Sequence, residues 1–227
     1  MAYKTILFDL DGTLLDTLRD LYSSINRALK ANGLPERSLE EVRRFVGNGI
    51  RKLVERAVPE KTEEEMIERV LADFKSDYAL HSNDETAPYP GIMDALSALR
   101  AKHKTIAIVS NKADFAVQHL SALYFGELVD FPLGEREGIP RKPAPDMIRL
   151  VLDSLSADPD TAVYVGDSDV DVETAKNADM DLVLVDWGFR DRETLLPLLA
   201  DYPKHRRAVI VSTVEELLLA LCPKEDR

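Results

Sequence analysis

In Ile6-Leu7-Phe8-Asp9-Leu10-Asp11-Gly12-Thr13, two carboxylates directly follow an apolar run. The run is typical of a strand that is buried on both faces, as in a parallel sheet. Side chains two residues apart on an extended chain point to the same side, so Asp9 and Asp11 would converge where Gly12 lets the backbone turn. Two like charges about 4 Å apart repel by about 4 kcal/mol at an effective dielectric constant of about 20. The pattern therefore predicts a bound divalent cation after this strand, and the alternative is an ordinary Asp-Gly turn.

Length and charge restrict the partners that the protein can have. The chain has 227 residues and is 45% hydrophobic, which is enough to bury a sizeable core. Its formal net charge is minus 12, from 41 acidic and 29 basic residues, and this excludes the basic surface of a nucleic-acid or anionic-membrane binder. The single cysteine, Cys222, rules out an internal disulfide. We expect a cytoplasmic protein, a monomer or homodimer, with no nucleic-acid or membrane partner.

Two patterns of apolar residues divide the chain. Residues 16–87 repeat apolar side chains at helical spacing, and Ser38 with Glu41 resembles a capping box. From Pro88 onward, helices alternate with short β-rich runs, which are 104–109, 128–131, 161–165, 182–185 and 207–211. Alternation of this kind predicts a mostly parallel sheet covered by helices, to which residues 5–8 also belong.

We therefore expect an α/β fold in two domains. A Rossmann-like parallel-sheet core would comprise residues 1–15 and 88–227, and an all-helical cap domain of residues 16–87 would be inserted into it. In such sheets, ligands bind at the carboxyl ends of the strands near the topological switch point. The residues that follow each strand are therefore the most informative about function.

Polar side chains lie after two further strands and between them. Strand 104–109 leads into Ser110-Asn111, which would either hold a phosphate oxygen or cap the next helix. Strand 161–165 leads into Gly166-Asp167-Ser168-Asp169-Val170-Asp171, where Asp167 and Asp171 lie about one helical turn apart and can face one pocket. Lys142 lies between these strands in the sequence and exposes a cation beside a helix start.

These groups are together suited to phosphoryl transfer. Three carboxylates offer the hard oxygen ligands that Mg²⁺ prefers, namely those of Asp9, Asp11 and Asp167. Ser110 and Asn111 can donate hydrogen bonds to an anion, while Lys142 balances the carboxylates. A carboxylate can attack phosphorus to give an acyl phosphate when a metal and a lysine offset the repulsion between the two anions.

Four segments, in order, resemble the motifs of the haloacid dehalogenase superfamily of phosphotransferases: Asp9-Leu10-Asp11-Gly12-Thr13, Ser110-Asn111, Lys142, and Gly166-Asp167-Ser168 with Asp171. By this likeness, Asp9 is the nucleophile and Asp11 is the general acid and base. The likeness also implies that Mg²⁺ binds Asp9, the backbone carbonyl of Asp11, and Asp167.

The same resemblance implies roles for the other motif residues. Ser110, Asn111 and Lys142 would hold the phosphoryl group. Asp171 would orient Lys142 or a metal-bound water, and Thr13 would support the site. Because the dehalogenases of the superfamily lack the second aspartate of the first motif, Asp11 favours phosphoryl transfer over dehalogenation.

The insertion occupies the position of a helical type 1 cap. Within it, residues 44–57 are similar to the phosphoglycolate phosphatase branch. Gly47-Asn48-Gly49 would be either a plain turn between helices or a substrate loop, to which Arg51 or Lys52 could add a cation. Trp187-Gly188-Phe189-Arg190-Asp191 also resembles that branch, whereas Asp179 departs from it where glycine is common, which leaves the local turn open.

The resemblance implies a Mg²⁺-dependent phosphatase that hydrolyses a small-molecule phosphate monoester through an aspartyl phosphate, with 2-phosphoglycolate as the first candidate substrate. A β-phosphoglucomutase-like phosphomutase would use the same core. A non-catalytic protein that binds a phosphate or a partner is the alternative from another class.

Overall fold

The computed structural model describes residues 3–222, which form eight strands, ten α-helices and three short 3-10 helices. The strands are β1 Thr5–Phe8, β2 Leu15–Asp16, β3 Ala87–Pro88, β4 Thr105–Ala113, β5 Phe131–Glu135, β6 Ala162–Gly166, β7 Asp181–Val185 and β8 Ala208–Val211. The helices are α1 Leu18–Ala31, α2 Leu39–Phe45, α3 Ile50–Ala57, α4 Glu64–His81, α5 Ile92–Ala101, α6 Asp114–Tyr124, α7 Asp146–Ser154, α8 Asp169–Asn177, α9 Arg192–Leu195 and α10 Val214–Leu221. None of the helices within this range is both long and apolar enough to cross a membrane.

The chain divides into two units. The core unit contains the residues up to Leu14 together with those from Pro88 onward, and the cap unit contains Leu15–Ala87. The backbone N–H of Tyr89 donates to the carbonyl of Leu14 at 3.1 Å, so the two chain ends of the core unit meet in one hydrogen bond.

The core unit is built on a six-stranded parallel sheet in the order β5-β4-β1-β6-β7-β8. In the centre, Phe8 of β1 lies level with Ile108 of β4 and Val165 of β6. All four residues of β1 are buried, which explains the unbroken apolar run Ile6-Leu7-Phe8. The predicted α/β fold with a parallel-sheet core and a helical insertion is confirmed.

Helices cover the sheet, and on one face apolar packing holds them against the strands. Side chains of the strands, including Leu7, Val109 and Leu182, pack against apolar residues of α7 and α8 in one buried cluster. Burying a side chain of this size stabilises the fold by roughly 1.5–3 kcal/mol relative to leaving it exposed. The rigid central strands therefore fix the positions of the loops at their carboxyl ends.

Besides β4, which was predicted to end at residue 109 and extends to Ala113, two predicted elements differ from the structure. The strand expected at 128–131 begins at Phe131, because Gly126–Leu128 forms a 3-10 turn directly after α6. The helix expected at 191–199 consists of α9 and a 3-10 turn, Leu196–Leu199, where Pro197 has no backbone N–H to continue an α-helix.

The cap unit consists of α1 to α4, and its local signals were recognisable in the sequence. Ser38 accepts a hydrogen bond from the backbone of Glu41 while Glu41 accepts from the backbone of Ser38, so the predicted capping box is confirmed. The buried carboxylate of Asp20 accepts the backbone N–H groups of Glu85 and Thr86 at 2.9 Å and the Thr86 hydroxyl at 2.7 Å. Asp20 therefore ties the beginning of the insertion to its end, where β2 and β3 form a short two-stranded sheet.

Candidate active site

The candidate site lies where β1, β4 and β6 end. Asp9 directly follows β1, and Asp167 follows β6, its neighbour in the sheet. Asp171 lies in the first turn of α8, which begins two residues after Asp167. Since parallel strands present their carboxyl ends at the same edge, the sheet brings residues that are far apart in sequence to one place.

Three carboxylates form the centre of the site. Asp9, Asp167 and Asp171 each place one oxygen within 4.8 Å of the others, and all three residues are buried. The structure therefore brings together two of the predicted metal ligands, Asp9 and Asp167, with Asp171, which was predicted to support them. The side chain of Asp11 lies outside this cluster and has a different partner.

Lys142 neutralises part of this negative charge. Its Nζ lies 2.8 Å from Asp9 Oδ1 and 2.9 Å from Asp171 Oδ1, and it donates a 2.8 Å hydrogen bond to the hydroxyl of Tyr164. Burial alone would lower the pKa of Lys142, but the charges of Asp171 and Asp9 outweigh this and raise it above its ordinary value. Lys142 is therefore a permanently charged group between two carboxylates.

Asp171 also holds the start of α8. Its Oδ2 accepts the backbone N–H groups of Asp167 at 3.2 Å and Ser168 at 3.1 Å, and the Ser168 hydroxyl at 2.6 Å. Burial raises its pKa, but Lys142 and the hydrogen bond from Ser168 outweigh burial, so the pKa lies below its ordinary value. Asp171 therefore stays ionised, with one oxygen on Lys142 and the other on the helix start.

The carboxylates of Asp9 and Asp167 lie in a buried region that has more negative than positive charge. Burial raises the pKa of Asp9 to about 7 although Lys142 opposes it, and burial together with Asp171 and Asp9 raises the pKa of Asp167. Three buried carboxylates face one ammonium group, and their oxygens are hard donors. The donor set therefore fits a divalent cation, which would offset the charge that Lys142 leaves unbalanced.

Glycines let the backbone close tightly around Asp167. Gly12 has a φ of +87°, and a Cβ there would lie 2.4 Å from Asp167 Oδ2. A Cβ on Gly188 would lie 2.3 Å from the carbonyl oxygen of Gly12 and 2.4 Å from Asp167 Oδ2. Both positions are closed to other residues without a shift of the metal-ligand candidate.

Hydrogen bonds fix Asp167 within this turn. Its Oδ2 accepts the backbone N–H of Phe189 at 2.7 Å, and its Oδ1 accepts the Thr13 hydroxyl at 3.3 Å. The indole of Trp187 donates to the carbonyl of Thr13 at 3.3 Å. The segment 187–191 resembles the phosphoglycolate phosphatase branch but had no predicted role. Its first three residues, Trp187, Gly188 and Phe189, form part of the wall around Asp167.

Two of the three predicted phosphate-binding residues, Ser110 and Asn111, lie in β4. Ser110 and Asn111 are buried, and Asn111 Nδ2 donates to the carbonyl of Lys142 at 3.0 Å, which links two motifs directly. The alternative that either residue caps the next helix is wrong. β4 continues to Ala113 through a shift in register, and α6 begins at Asp114 without a side-chain cap.

Two further residues of the site had no predicted role. Lys112 contacts both carboxylate oxygens of Asp11, and Tyr164 lies between Lys142 and Asp171. The available signals were a lysine directly after Ser110-Asn111 and a tyrosine within an otherwise aliphatic strand, where its hydroxyl needs a polar partner.

The cap unit contains the residues predicted to contact substrate. Gly47 and Gly49 have φ values of +122° and +81°, so both occupy the left-handed region between α2 and α3. Asn48 Oδ1 accepts a 2.7 Å hydrogen bond from Arg56. Arg51 pairs with Glu55 at 3.0 Å, with Glu68 at 2.7 Å and with Glu64. Three carboxylates thus already surround this cation, and a role of the loop in substrate binding stays a prediction.

Known proteins with similar sequences and structures place the chain in a family. A phosphoglycolate phosphatase from Aquifex aeolicus is 33% identical over 195 residues, 86% of this chain and 90% of the relative. One from Mesorhizobium japonicum is 32% identical over 224 residues, 97% of this chain and 99% of the relative. A crystal structure from Lactobacillus delbrueckii subsp. bulgaricus, provisionally assigned the same activity, is 38% identical, has a TM-score of 0.90, and the match covers 99% of this chain and 100% of that one. Residues 6–185 match the model of the haloacid dehalogenase-like hydrolases, and the chain belongs to this family.

Proposed function

We propose that the protein is a Mg²⁺-dependent phosphatase that hydrolyses a small phosphate monoester, with 2-phosphoglycolate as the first candidate substrate. The observation that carries this proposal is the buried carboxylate of Asp9, held 2.8 Å from Lys142 beside Asp167 and Asp171. A carboxylate in this setting has what a nucleophile toward phosphorus needs, since an adjacent cation offsets the charge of the incoming phosphate.

In the first step, an oxygen of Asp9 attacks phosphorus, and the bond between phosphorus and the ester oxygen breaks. The products are an aspartyl phosphate and an alkoxide. The carboxylic acid form of Asp11 gives its proton to the alkoxide and becomes a carboxylate. Ser110, Asn111 and Lys142 hold the phosphoryl oxygens during the transfer. The burial of these three residues supports the assignment, because donors in a dry site stabilise developing charge more strongly than donors in water.

In the second step, Asp11 takes a proton from water as the water attacks phosphorus. The bond between phosphorus and the Asp9 oxygen breaks, which releases inorganic phosphate and restores the Asp9 carboxylate. Asp11 is left in the protonated form in which it began the cycle. The same residue thus serves first as acid and then as base, and no other side chain has to exchange a proton during the cycle.

We assign the metal to Asp9, Asp167 and the backbone carbonyl of Asp11. When bound, Mg²⁺ supplies positive charge that polarises a phosphoryl oxygen. Asp171 joins the same cluster, but Lys142 and the start of α8 already engage both of its oxygens. We therefore give Asp171 the task of orienting Lys142.

The choice of substrate rests on the relatives and on the cap. Phosphoglycolate phosphatases are more than 30% identical to this chain over most of its length. We infer that Gly47-Asn48-Gly49 and Arg51 contribute to selectivity among phosphate esters. Asn48→Ala should then change the preference among phosphate esters more than the Mg²⁺ requirement, and equal rates across all esters would contradict this.

The charge of the chain and its single cysteine support a cytoplasmic enzyme whose partner is a small phosphate ester. A net charge of minus 12 also requires that an anionic substrate be drawn in by local positive charge, which Lys142 and the proposed Mg²⁺ would provide.

Phosphate release from purified protein tests the proposal. With MgCl₂, the wild type should release inorganic phosphate steadily from 2-phosphoglycolate or p-nitrophenyl phosphate, while Asp9→Asn should fold normally and release none. A panel of phosphorylated metabolites would rank the substrates. Isomerisation of a sugar phosphate without net phosphate release would favour the phosphomutase, and tight phosphate binding without turnover would favour a binding protein.

A further inference from the structure

Lys112 lies against Asp11, the residue that the proposed function uses for proton transfer. Its Nζ is 3.1 Å from Asp11 Oδ1 and 3.3 Å from Oδ2, so the ammonium contacts both carboxylate oxygens. The Lys112 side chain is 3% exposed, and the Asp11 side chain is 17% exposed. An ammonium buried to this extent needs a carboxylate beside it, because an unpaired charge is costly away from water.

The backbone that carries Lys112 is fixed by its neighbour strand. β4 continues through Lys112 to Ala113, and β5 runs beside it. Gly134 of β5 makes this approach possible, since a Cβ there would lie 2.6 Å from the carbonyl oxygen of Lys112 and 2.4 Å from Asp114 Cα. The Gly134 N–H also donates to Asp114 Oδ1 at 2.9 Å. The Lys112 side chain therefore starts from a backbone position with little freedom.

We propose that Lys112 is a positioning residue that holds the Asp11 carboxylate in the orientation used for proton transfer. This role rests on the proposed function. Two contacts to one carboxylate restrict its rotation, because turning either oxygen away lengthens a charge-assisted hydrogen bond. Lys112 acts on the reaction through Asp11, whereas Lys142, 2.8 Å from Asp9 Oδ1, acts on the nucleophile.

A double-mutant cycle with p-nitrophenyl phosphate tests this role. The cycle compares the wild type, Lys112→Met, Asp11→Asn and the double variant, all with MgCl₂. The leaving group, p-nitrophenolate, is stable without a proton, so formation of the aspartyl phosphate does not depend on Asp11. Hydrolysis of the aspartyl phosphate does depend on it, because water needs a base. Lys102→Met, a change at an exposed lysine outside the site, is the matched control.

Lys112→Met should retain a burst of about one p-nitrophenolate per enzyme and then turn over slowly. We expect a fall in steady-state kcat of roughly 10- to 100-fold, which is part of the 10²- to 10⁴-fold typical of general acid–base catalysis, with little change in KM. In the Asp11→Asn background, Lys112→Met should have an effect of less than about twofold, since residues that act through one another are not additive. Lys112→Arg should recover part of the rate, because it restores a cation beside Asp11.

Provided that the wild type and Lys102→Met are active, three results would overturn the role of Lys112. The first is a kcat in the double variant that is lowered by the product of the two single effects. The others are loss of the burst in Lys112→Met, and a raised KM with unchanged kcat. The last two would instead indicate direct contact of Lys112 with the phosphate ester. An inactive wild type would reject the proposed function, and the role of Lys112 with it. If thermal unfolding shows that Lys112→Met is not folded, Lys112→Gln replaces it in the same cycle.

Discussion

The hydroxyl of Tyr164 donates a 2.9 Å hydrogen bond to Asp171 Oδ1, and the same hydroxyl accepts a 2.8 Å hydrogen bond from Lys142. It thereby bridges the two ions whose direct separation is 2.9 Å. Burial and the charge of Asp171 raise the pKa of Tyr164, so the hydroxyl remains a donor over the whole working range of pH.

Tyr164→Phe should therefore lower both stability and rate. A hydrogen bond to a charged group contributes about 1.5–3 kcal/mol, so urea denaturation should show a loss of that size. The kcat should fall by roughly tenfold or less, equivalent to about 1.4 kcal/mol, because Lys142 keeps its two carboxylates. Tyr202→Phe is the matched control, since it removes a 2.7 Å hydrogen bond to the Met180 carbonyl elsewhere in the core unit. An equal loss of rate in both variants would contradict a specific role for Tyr164.

Asp9 should make the metal-free protein less stable as pH rises. In the folded state its pKa is raised to about 7 by burial, whereas the pKa of an aspartate in an unfolded chain is about 3.9. The folded state therefore holds a proton that the unfolded state has lost, and the contribution to stability declines between about pH 4 and pH 7.

Thermal unfolding at pH 5 to 8 in EDTA checks this dependence. The melting temperature of the wild type should fall relative to that of Asp9→Asn as pH increases, because the amide does not titrate. Added MgCl₂ should raise the melting temperature of the wild type more at pH 8 than at pH 5, since metal and proton compete for the carboxylates. Parallel curves for the two proteins would show that Asp9 titrates in its ordinary range.

Gly188→Ala should weaken metal binding. The added Cβ would collide with the Gly12 carbonyl and with Asp167 Oδ2, so the carboxylate must move. Disturbing the groups around a metal ligand typically costs about 10- to 100-fold in affinity, and the Mg²⁺ concentration for half-maximal activity should rise by that factor. Gly138→Ala has a positive φ of +81° but no atom within 4 Å of the new Cβ, and it should leave the Mg²⁺ requirement unchanged. An unchanged requirement in Gly188→Ala would mean that Asp167 does not bind the metal.

Asp179 should affect the local backbone turn and its ion pairs but not the catalytic reaction. It occupies the left-handed region with a φ of 51°, as glycine would, and its carboxylate pairs with Arg206 and His205. The hydrogen bonds from Arg206 and then His205 lower its pKa to about 2. Asp179→Gly should leave kcat unchanged and slightly raise the melting temperature. Glycine adopts the left-handed conformation without strain, and this gain outweighs the loss of the exposed ion pairs. Asp179→Asn, which keeps a side chain that tolerates this conformation, separates the two effects. A loss of activity in both variants would contradict this.

The fold could be predicted because its signals are local. Ile6-Leu7-Phe8 is typical of a strand buried on both faces, and the alternation of strands and helices from Pro88 onward predicts a mostly parallel sheet. The meeting of Asp9 with Asp167 then followed from topology, since carboxyl ends of parallel strands share one edge. The end of β4 was misjudged, because a shift in register after Val109 leaves no trace in the pattern of apolar residues.

The pairs between side chains could not be predicted in the same way. Lys112 meets Asp11 across two strands, and nothing in the spacing of 101 residues specifies that contact. Tyr164 is a buried aromatic residue of the kind found in any core. Its role in the site depends on the charged groups that contact its hydroxyl, and the sequence does not specify these. Periodicity gives the face of a strand on which a residue lies, but the partner depends on side-chain directions that only three-dimensional packing determines.

The hydrogen bond between Leu14 and Tyr89 joins the two ends of the core sequence at the point where the insertion begins and ends. A few residues further into the insertion, the hydrogen bond from Thr86 to Asp20 joins the two ends of the insertion itself. The insertion is therefore closed separately from the core. The core sequence is already joined on its own side of the junction, so closing it with a short loop would cost little chain entropy. Different helical inserts could be exchanged at this junction while the strand that carries Asp9 keeps its neighbours. Under the proposed role of the cap, replacing this one continuous stretch of the gene would direct the same chemistry to other phosphate esters.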